Sequence, residues 1–130
     1  MIDEYKFDWS KFRILIAEDD MANYILLKYM LEESKVTVIR AKNGNEAVEI
    51  CKSDDKIDLI LMDVKMPVMD GIEATRAIKS FRPHLPIIMQ SAHILDEVKL
   101  NCFEAGCDDF FIKPFNEDLF FQMIDSYLKK

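Results

Sequence analysis

The chain has 130 residues, the length of one ordinary domain, and half of them are hydrophobic, so a core can form without disulfides or a structural metal. With 24 acidic against 17 basic residues, the net charge is −7, which disfavours nucleic acids and anionic membranes as partners. The three cysteines form no Cys-x-x-Cys pair. Apolar runs stay shorter than a membrane span, and the beginning of the chain lacks a signal-peptide pattern. We therefore expect a cytoplasmic protein.

The chain begins with an aromatic and acidic stretch, residues 1–11. We expect this stretch to be an arm or a linker that is partly ordered, as chain termini commonly are. Packing of the arm on the sheet is the alternative. The domain itself is predicted to extend over residues 12–130.

Five strand-length runs, rich in apolar and β-branched residues, follow one another along the chain. These runs are 13–17, 36–41, 58–62, 86–90 and 109–112. The segments after them carry apolar residues at helical spacing. In the first such segment the spaced residues are Ala22, Ile25, Leu26, Tyr29 and Met30. Strands that are apolar throughout and alternate with helices predict a (βα)5 fold of the α/β class, a doubly wound parallel five-stranded sheet.

Local signals at helix ends support these limits. Asn43 and Asp70 each stand three residues before a glutamate, which is the spacing of a capping box at a helix start. Gly106 suits the end of the fourth helix, because glycine commonly follows the last helical turn.

Polar side chains follow four of the five predicted strands. They are Glu18, Asp19 and Asp20 after the first strand, Asp63 after the third, Ser91 after the fourth and Lys113 after the fifth. Because the carboxyl ends of parallel strands share one edge, where open α/β sheets bind ligands, these side chains are expected to lie together. Taken singly, the acidic residues would indicate a solvated helix start, and Lys113 with the proline after it would indicate a turn. Because all of these side chains are expected at the same edge of the sheet, a ligand-binding site is the better interpretation.

Neighbouring carboxylates repel one another unless a cation or a proton intervenes. Glu18, Asp19 and Asp63 are therefore predicted to bind a hard divalent cation. Mg²⁺ prefers oxygen ligands and is usually held by one or two carboxylates together with phosphate oxygens. Lys113 adds a positive charge and Ser91 a hydroxyl donor. The set is typical of a site that binds a phosphoryl group.

Four motifs together resemble the receiver domain of bacterial two-component response regulators and hybrid sensor kinases. They read ILIAEDD at 14–20, LMDVKMPVMDG at 61–71, PIIMQSAH at 86–93, and AG at 105–106 followed by KPF at 113–115. The resemblance covers residues 12–130, and the combination is specific. It implies a flavodoxin-like sheet with strand order 2-1-3-4-5.

The resemblance also implies the roles of individual residues. Asp63 would accept a phosphoryl group from a phosphohistidine and form an acyl phosphate. Asp19, Asp63 and the backbone carbonyl of Lys65 would bind Mg²⁺, with Mn²⁺ as a substitute, and Glu18 would act through water. Ser91 and Lys113 would hold the phosphoryl oxygens, which agrees with a reaction that depends chiefly on positioning and charge stabilisation.

A switch is implied as well. The Ser91 hydroxyl would move toward the phosphoryl group while the side chain of Phe110 turns inward. Phenylalanine lacks the hydroxyl that the tyrosine often found at this position in the family can offer to a backbone carbonyl. The surface that would be remodelled, residues 95–105 with 109–129, is the candidate partner face.

Two more positions are candidates for tuning the lifetime of the phosphoryl group. Lys65 either reaches toward the phosphoryl oxygens and hinders the attacking water or is simply solvated. His93 either contacts a partner or faces water.

We expect a signalling domain that phosphorylates and dephosphorylates itself, not an enzyme that turns over an external substrate. A magnesium-dependent phosphohydrolase would also use a strand-end aspartate, but those enzymes carry Asp-x-Asp, and Lys65 stands here in place of the second aspartate. The third alternative is a pseudo-receiver that binds partners without phosphorylation. The complete set of Asp19, Asp63, Ser91 and Lys113 argues against it.

The expected phosphoryl donor is a histidine kinase or a histidine phosphotransfer protein, and the downstream protein target is not defined by the sequence. No nucleic acid or membrane is expected as a partner, and the chain should be a monomer or a weak dimer. A free-standing regulator and a receiver from a hybrid kinase both remain open.

Overall fold

The computed structural model of the chain describes residues 7–92, 95–112 and 116–129. Five strands alternate with five helices in this part of the chain. The strands are β1 Arg13–Ala17, β2 Thr37–Ala41, β3 Leu59–Asp63, β4 Ile87–Ser91 and β5 Asp109–Ile112. The helices are α1 Met21–Leu31, α2 Gly44–Ser53, α3 Gly71–Phe81, α4 Asp96–Glu104 and α5 Glu117–Leu128, and a short 3₁₀ helix, Glu32–Ser34, follows α1. The predicted strand limits agree with these bounds to within one residue.

All five strands are parallel, and their order across the sheet is β2-β1-β3-β4-β5. This confirms the predicted fold class and strand order. The chain leaves β1 toward one edge of the sheet to form β2 and then returns to the other side of β1 to form β3. The order therefore reverses between β1 and β3, and ligands of such sheets bind beyond the carboxyl ends of the strands at this point.

Each face of the sheet is covered by its own hydrophobic cluster. On the side of α2, α3 and α4, the strands contribute residues such as Leu15, Met62 and Met89. On the side of α1 and α5 they contribute residues such as Ile16 and Leu61. The sheet is thus buried on both faces, which explains why its strands are apolar throughout instead of alternating with polar residues.

The apolar face predicted for α1 is wrong, although the helix itself is where it was predicted. Leu27 and Leu31 are the buried residues of α1, whereas Ile25, Leu26 and Tyr29 are 55%, 55% and 74% exposed. Because most positions of α1 are apolar, their spacing does not single out one face. The helix consequently presents apolar side chains to solvent.

The residues before β1 pack against the domain. Trp9 is fully buried, and its indole nitrogen Nε1 donates a hydrogen bond of 2.8 Å to Oδ1 of Asp125 on α5. The ring centroids of Phe7 and Phe121 lie 5.3 and 5.8 Å from that of Trp9. Residues 7–11 therefore form the packed arm that was the alternative to a partly ordered terminus. The domain boundary at residue 12 stays a prediction, and residues 1–6 lie outside the described part.

The predicted helix caps are confirmed. Oδ1 of Asn43 accepts a hydrogen bond of 2.8 Å from the backbone nitrogen of Glu46, and Oδ1 of Asp70 accepts one of 2.9 Å from that of Glu73. Gly106 has a φ of 112°, a conformation that favours glycine after a helix.

None of the helices within the described ranges combines the length and the apolar character that crossing a membrane requires. The cytoplasmic location stays a prediction.

Candidate functional site

Three carboxylates meet at the point where the strand order reverses. Glu18 and Asp19 directly follow β1, Asp63 is the last residue of β3, and the two strands are neighbours. One carboxylate oxygen from each residue can be chosen so that all three atoms lie within 4.8 Å of one another. The structure therefore brings together the three acidic side chains that the sequence analysis selected.

The three carboxylates differ in their access to solvent. Glu18 is fully buried, and its Oε2 accepts a hydrogen bond of 3.1 Å from the backbone nitrogen of Asp20. Asp63 is half-buried and Asp19 is exposed. A buried carboxylate needs compensation for its lost hydration, and the backbone donor supplies part of it. The cluster thus has a closed inner end at Glu18 and an open outer end at Asp19.

This donor set fits a magnesium ion. It consists of carboxylate oxygens, the ligand type that a hard divalent cation prefers, and its open side leaves room for the waters that Mg²⁺ retains. A cation there would also relieve the mutual repulsion of Glu18, Asp19 and Asp63. Lys65 is exposed on the loop that follows Asp63. The ligand role of its carbonyl group stays a prediction.

The main chain at Asp63 is held by α3 and β4. The backbone nitrogen of Gly71 donates a hydrogen bond of 2.8 Å to the carbonyl oxygen of Val64, and the Val64 nitrogen donates one of 3.1 Å to that of Gln90. A β-carbon on Gly71 would clash with the Asp63 carbonyl oxygen. Gly71 lies in one of the sequence motifs, but the motif does not reveal its role, because its proximity to Asp63 arises only from the folded loop.

The far end of the same loop is held by α2. The backbone nitrogen of Gly44 donates a hydrogen bond of 2.9 Å to the carbonyl oxygen of Met69, with which a β-carbon on Gly44 would clash. The backbone nitrogen of Met69 donates a hydrogen bond of 2.7 Å to the carbonyl oxygen of Pro67, which closes a three-residue turn around Val68. Val68 has a φ of 70°, which is unfavourable for a β-branched residue. The loop after Asp63 is thus tied down at both of its ends.

The two residues predicted to form the switch lie on neighbouring strands. Ser91 is the half-buried last residue of β4 and pairs with Ile112 of β5. Phe110 is only 8% exposed and belongs to the cluster on the side of α3 and α4. The ring that the resemblance implies to turn inward is therefore already inside. The switch roles of both residues stay predictions.

Two of the selected site residues, Lys113 and His93, lie outside the described residues. The roles predicted for them, binding of phosphoryl oxygens and tuning of the phosphoryl lifetime, stay predictions.

Arg40 is a neighbour of the site that the sequence analysis missed. Its Nε and Nη2 atoms donate hydrogen bonds of 3.2 and 3.0 Å to the carbonyl oxygen of Glu18, and Nη2 donates a further one of 3.2 Å to that of Asp19. Arg40 lies on β2, so only the pairing of β2 with β1 brings it here. No local sequence pattern signals such a contact.

The cysteines belong to the packing of the domain. All three are buried. Burial raises the pKa of the Cys51 thiol to about 11 and that of Cys107 to about 12, and it also raises the pKa of Cys102. Raised pKa values are typical of structural cysteines and not of reactive ones.

Comparison with known proteins agrees with this geometry. The family described as response regulator receiver domain matches residues 14–125. Hybrid signal transduction histidine kinase I of Dictyostelium discoideum is 35% identical over 126 residues, which cover 91% of this chain and 7% of that protein. Sensor protein GacS of Pseudomonas syringae pv. syringae is 34% identical over 117 residues, covering 86% of this chain and 13% of that protein. The chain thus spans a small part of the length of these relatives.

Solved structures of single domains match over nearly their whole length. The receiver domain of sensor histidine kinase PA1611 from Pseudomonas aeruginosa PAO1, with a magnesium ion coordinated in its active site cleft, has a TM-score of 0.83 and 31% identity. The alignment covers 91% of this chain and 98% of that one. Chemotaxis protein CheY4 of Vibrio cholerae has a TM-score of 0.82 and 25% identity, with coverage of 90% and 98%.

Proposed function

Because the chain belongs to the response regulator receiver domain family, we propose that it accepts a phosphoryl group on Asp63 from a phosphohistidine of a histidine kinase or a histidine phosphotransfer protein. Receiver domains are signalling modules of two-component systems, and hybrid kinases are among the relatives of this chain. The observation that carries the proposal is the grouping of Glu18, Asp19 and Asp63 at the strand ends.

In the proposed reaction a carboxylate oxygen of Asp63 attacks phosphorus. The phosphorus–nitrogen bond to the donor imidazole breaks, its electron pair stays on the ring nitrogen, and the product is an acyl phosphate on Asp63. Asp63 is half-buried, and the main chain next to it is held by the hydrogen bond that Gly71 donates to Val64. Ser91 and Lys113 would hold phosphoryl oxygens in this state.

A metal is part of the proposal, as it is in the structure of the related PA1611 receiver domain. Asp19 and Asp63 would bind Mg²⁺ together with the carbonyl group of Lys65, and Glu18 would act through water. The bound ion would offset the negative charge that builds up when a phosphoryl group approaches these carboxylates. The exposure of Asp19 leaves the ligand shell accessible from solvent.

The phosphoryl group would be lost by attack of water on the same phosphorus, which restores the Asp63 carboxylate. Lys65 is exposed and only two residues from Asp63, and we propose that its side chain reaches over the phosphoryl oxygens and slows this attack. We propose that the domain carries out these two reactions on itself and turns over no external substrate.

The exposed apolar side of α1 supplies a docking surface for the donor. Met21, Ile25 and Tyr29 are exposed and follow one another at intervals of four residues, so they lie on one side of the helix. Because α1 begins two residues after Asp19, the Met21 end of this stripe is the one nearest the acidic cluster. A donor histidine that reaches Asp63 from the same edge of the sheet would cover it.

The second docking surface is the candidate partner face on α4, β5 and α5. Exposed apolar side chains occur on all three of these elements, namely Leu95 just before α4 with Leu100 and Phe103 on it, Ile112 on β5 and Leu119 on α5. We propose that phosphorylation changes this surface through Ser91 and Phe110 and that the downstream protein binds there.

Phosphotransfer from a protein donor tests the function. A panel of phosphohistidine-bearing phosphotransfer domains, labelled with radioactive phosphate, is mixed with the chain and with its Asp63→Asn variant. We expect label on the parent chain from at least one donor and none on the variant. Label that is retained by Asp63→Asn would contradict the proposal, and so would steady hydrolysis of p-nitrophenyl phosphate, which a phosphohydrolase would show.

A matched pair of variants separates the two docking surfaces in the same assay. Ile25→Asp places a charge on the α1 stripe, and Leu100→Asp places one on α4 at a similarly exposed position. We expect slower transfer to Ile25→Asp only. Equal rates for the two variants would remove α1 as the donor site.

A further inference from the structure

Arg40 joins β2 to the loop that carries two of the acidic residues. It pairs in register with Ile16 of β1, and its guanidinium group lies beside the first residues of α1. Its Nε and Nη2 atoms donate to the carbonyl oxygen of Glu18 at 3.2 and 3.0 Å, and Nη2 also donates to that of Asp19 at 3.2 Å. One side chain thus binds two successive carbonyl groups.

The two carbonyl groups belong to the peptide units immediately before and after Asp19. Each peptide unit is planar, so holding both of them restrains the φ and ψ angles of Asp19 and hence the direction of its Cα–Cβ bond. Asp19 is exposed, so core packing does not provide this restraint. Glu18 differs, because it is fully buried and its carboxylate accepts a hydrogen bond from the Asp20 nitrogen.

Arg40 is itself held in place by α1. Its guanidinium carbon lies 4.8 Å from the centroid of the Tyr24 ring, and its Nη1 atom donates to Sδ of Met21 at 3.4 Å. A guanidinium over an aromatic face is favourable. Within the described part of the chain Arg40 has no carboxylate partner at ion-pair distance, so Nε and Nη2 are available to the loop carbonyl groups.

We propose that Arg40 is a positioning residue for the cation site, which aims the Asp19 carboxylate at the space between Glu18 and Asp63. The inference rests on the proposed function, in which Asp19 is a ligand of Mg²⁺. It predicts that the affinity for Mg²⁺ depends on the planar guanidinium fork and not on the charge of residue 40.

The direction in which Mg²⁺ affinity changes when Arg40 is replaced separates this positioning role from a purely electrostatic one. A positive charge close to a cation site repels the cation, so removal of the charge alone would strengthen Mg²⁺ binding. Loss of the hydrogen bonds that hold the main chain on both sides of Asp19 would weaken Mg²⁺ binding instead. Lysine keeps the charge but lacks the planar fork that binds two carbonyl groups.

The experiment is a calorimetric titration of the unphosphorylated chain with Mg²⁺, which does not depend on phosphoryl transfer. We expect binding about tenfold weaker in Arg40→Met, the size typical for loss of an outer-shell partner. Arg40→Lys should also bind more weakly than the parent chain. With EDTA and no metal present, the Arg40→Met variant should show faster hydrogen exchange at the amides of Asp19 and Asp20.

Arg82 offers a matched control. Its guanidinium group donates to the carbonyl oxygens of Asp54 at 3.0 Å and Ile57 at 2.9 Å. Both residues lie in the loop before β3, at the amino ends of the strands, whereas the acidic cluster lies at the carboxyl ends. Arg82→Met should lower the thermal midpoint and leave Mg²⁺ affinity unchanged. Tyr24→Leu should weaken Mg²⁺ binding, whereas Tyr24→Phe, which keeps the ring, should not.

Equal or tighter Mg²⁺ binding in Arg40→Met, with no change in Arg40→Lys, would overturn the inference. If Arg40→Met does not fold, Arg40→Lys and Tyr24→Leu decide it by the same criterion. A parent chain without saturable Mg²⁺ binding would refute the metal in the proposed function instead, so the two failures are distinguishable.

Discussion

Gly71 lies directly against the main chain of Asp63, where a β-carbon at position 71 would clash with the Asp63 carbonyl oxygen. The first residue of α3 and the proposed phosphoryl acceptor therefore pack backbone to backbone. This close approach restrains the main chain that carries the Asp63 carboxylate.

Gly71→Ala tests this contact. Because the carbonyl group of Asp63 cannot yield without moving β3, we expect a loss of about 1 to 3 kcal/mol in the free energy of unfolding, measured with urea. Phosphoryl uptake should also slow, since the carboxylate moves with its main chain. Gly44→Ala is the control, because its clash is with the carbonyl oxygens of Met69 and Asp70 and not with Asp63. Parent-like uptake in Gly71→Ala would contradict the account.

Replacement of Gln90 by an apolar residue is expected to stabilise the fold. This residue on β4 is fully buried, and neither its amide nitrogen nor its amide oxygen has a hydrogen-bond partner among the residues that the structure describes. An unsatisfied buried group costs about 1 to 3 kcal/mol, so Gln90→Leu should raise the free energy of unfolding by about 1 kcal/mol in urea titrations.

A second buried polar residue serves as the comparison. The hydroxyl group of Thr75 donates to Sδ of Met89 at 3.3 Å, so Thr75→Val removes a hydrogen bond and should not stabilise the chain. A loss of stability in Gln90→Leu as large as that of a core truncation would show that the amide has a partner after all.

The cysteine thiols are expected to react slowly with alkylating reagents in the folded chain. Burial raises the pKa of Cys51 to about 11 and that of Cys107 to about 12, so both remain protonated at neutral pH, and the thiolate is the reactive form. Iodoacetamide at pH 7.5 should leave them unmodified in the folded chain and alkylate all three cysteines in urea. Alkylation in the folded chain at the rate seen in urea would be inconsistent with this burial.

The sequence predicts the fold because local and long-range signals coincide. Strands that are apolar throughout indicate a sheet covered on both faces, and the caps at Asn43 and Asp70 mark where two helices start. The acidic cluster is predictable for the same reason, since parallel strands place their carboxyl ends at one edge. The packing of Trp9 on α5 is mispredicted, and so is the exposed face of α1, because Ile25, Leu26 and Tyr29 are apolar like the residues that are buried.

The parts of the site that escape prediction depend on contacts between distant segments. Arg40 reaches Glu18 across 22 positions, and only the pairing of β2 with β1 creates that contact. The closeness of Gly71 to Asp63 and the packing of Trp9 on Asp125 likewise arise from three-dimensional proximity. A periodic pattern reports which side of an element is buried, but it does not report the neighbour across the interface.

The measurement that tests the central claim most directly is the intact mass of the chain after incubation with acetyl phosphate and Mg²⁺. It is made on the parent chain, on Asp63→Asn and on Asp55→Asn, an exposed aspartate that serves as the control. The account predicts one added phosphoryl group on the parent and on Asp55→Asn, none with EDTA and none on Asp63→Asn. An adduct that persists in Asp63→Asn, or a parent chain that forms none with Mg²⁺ present, would contradict it.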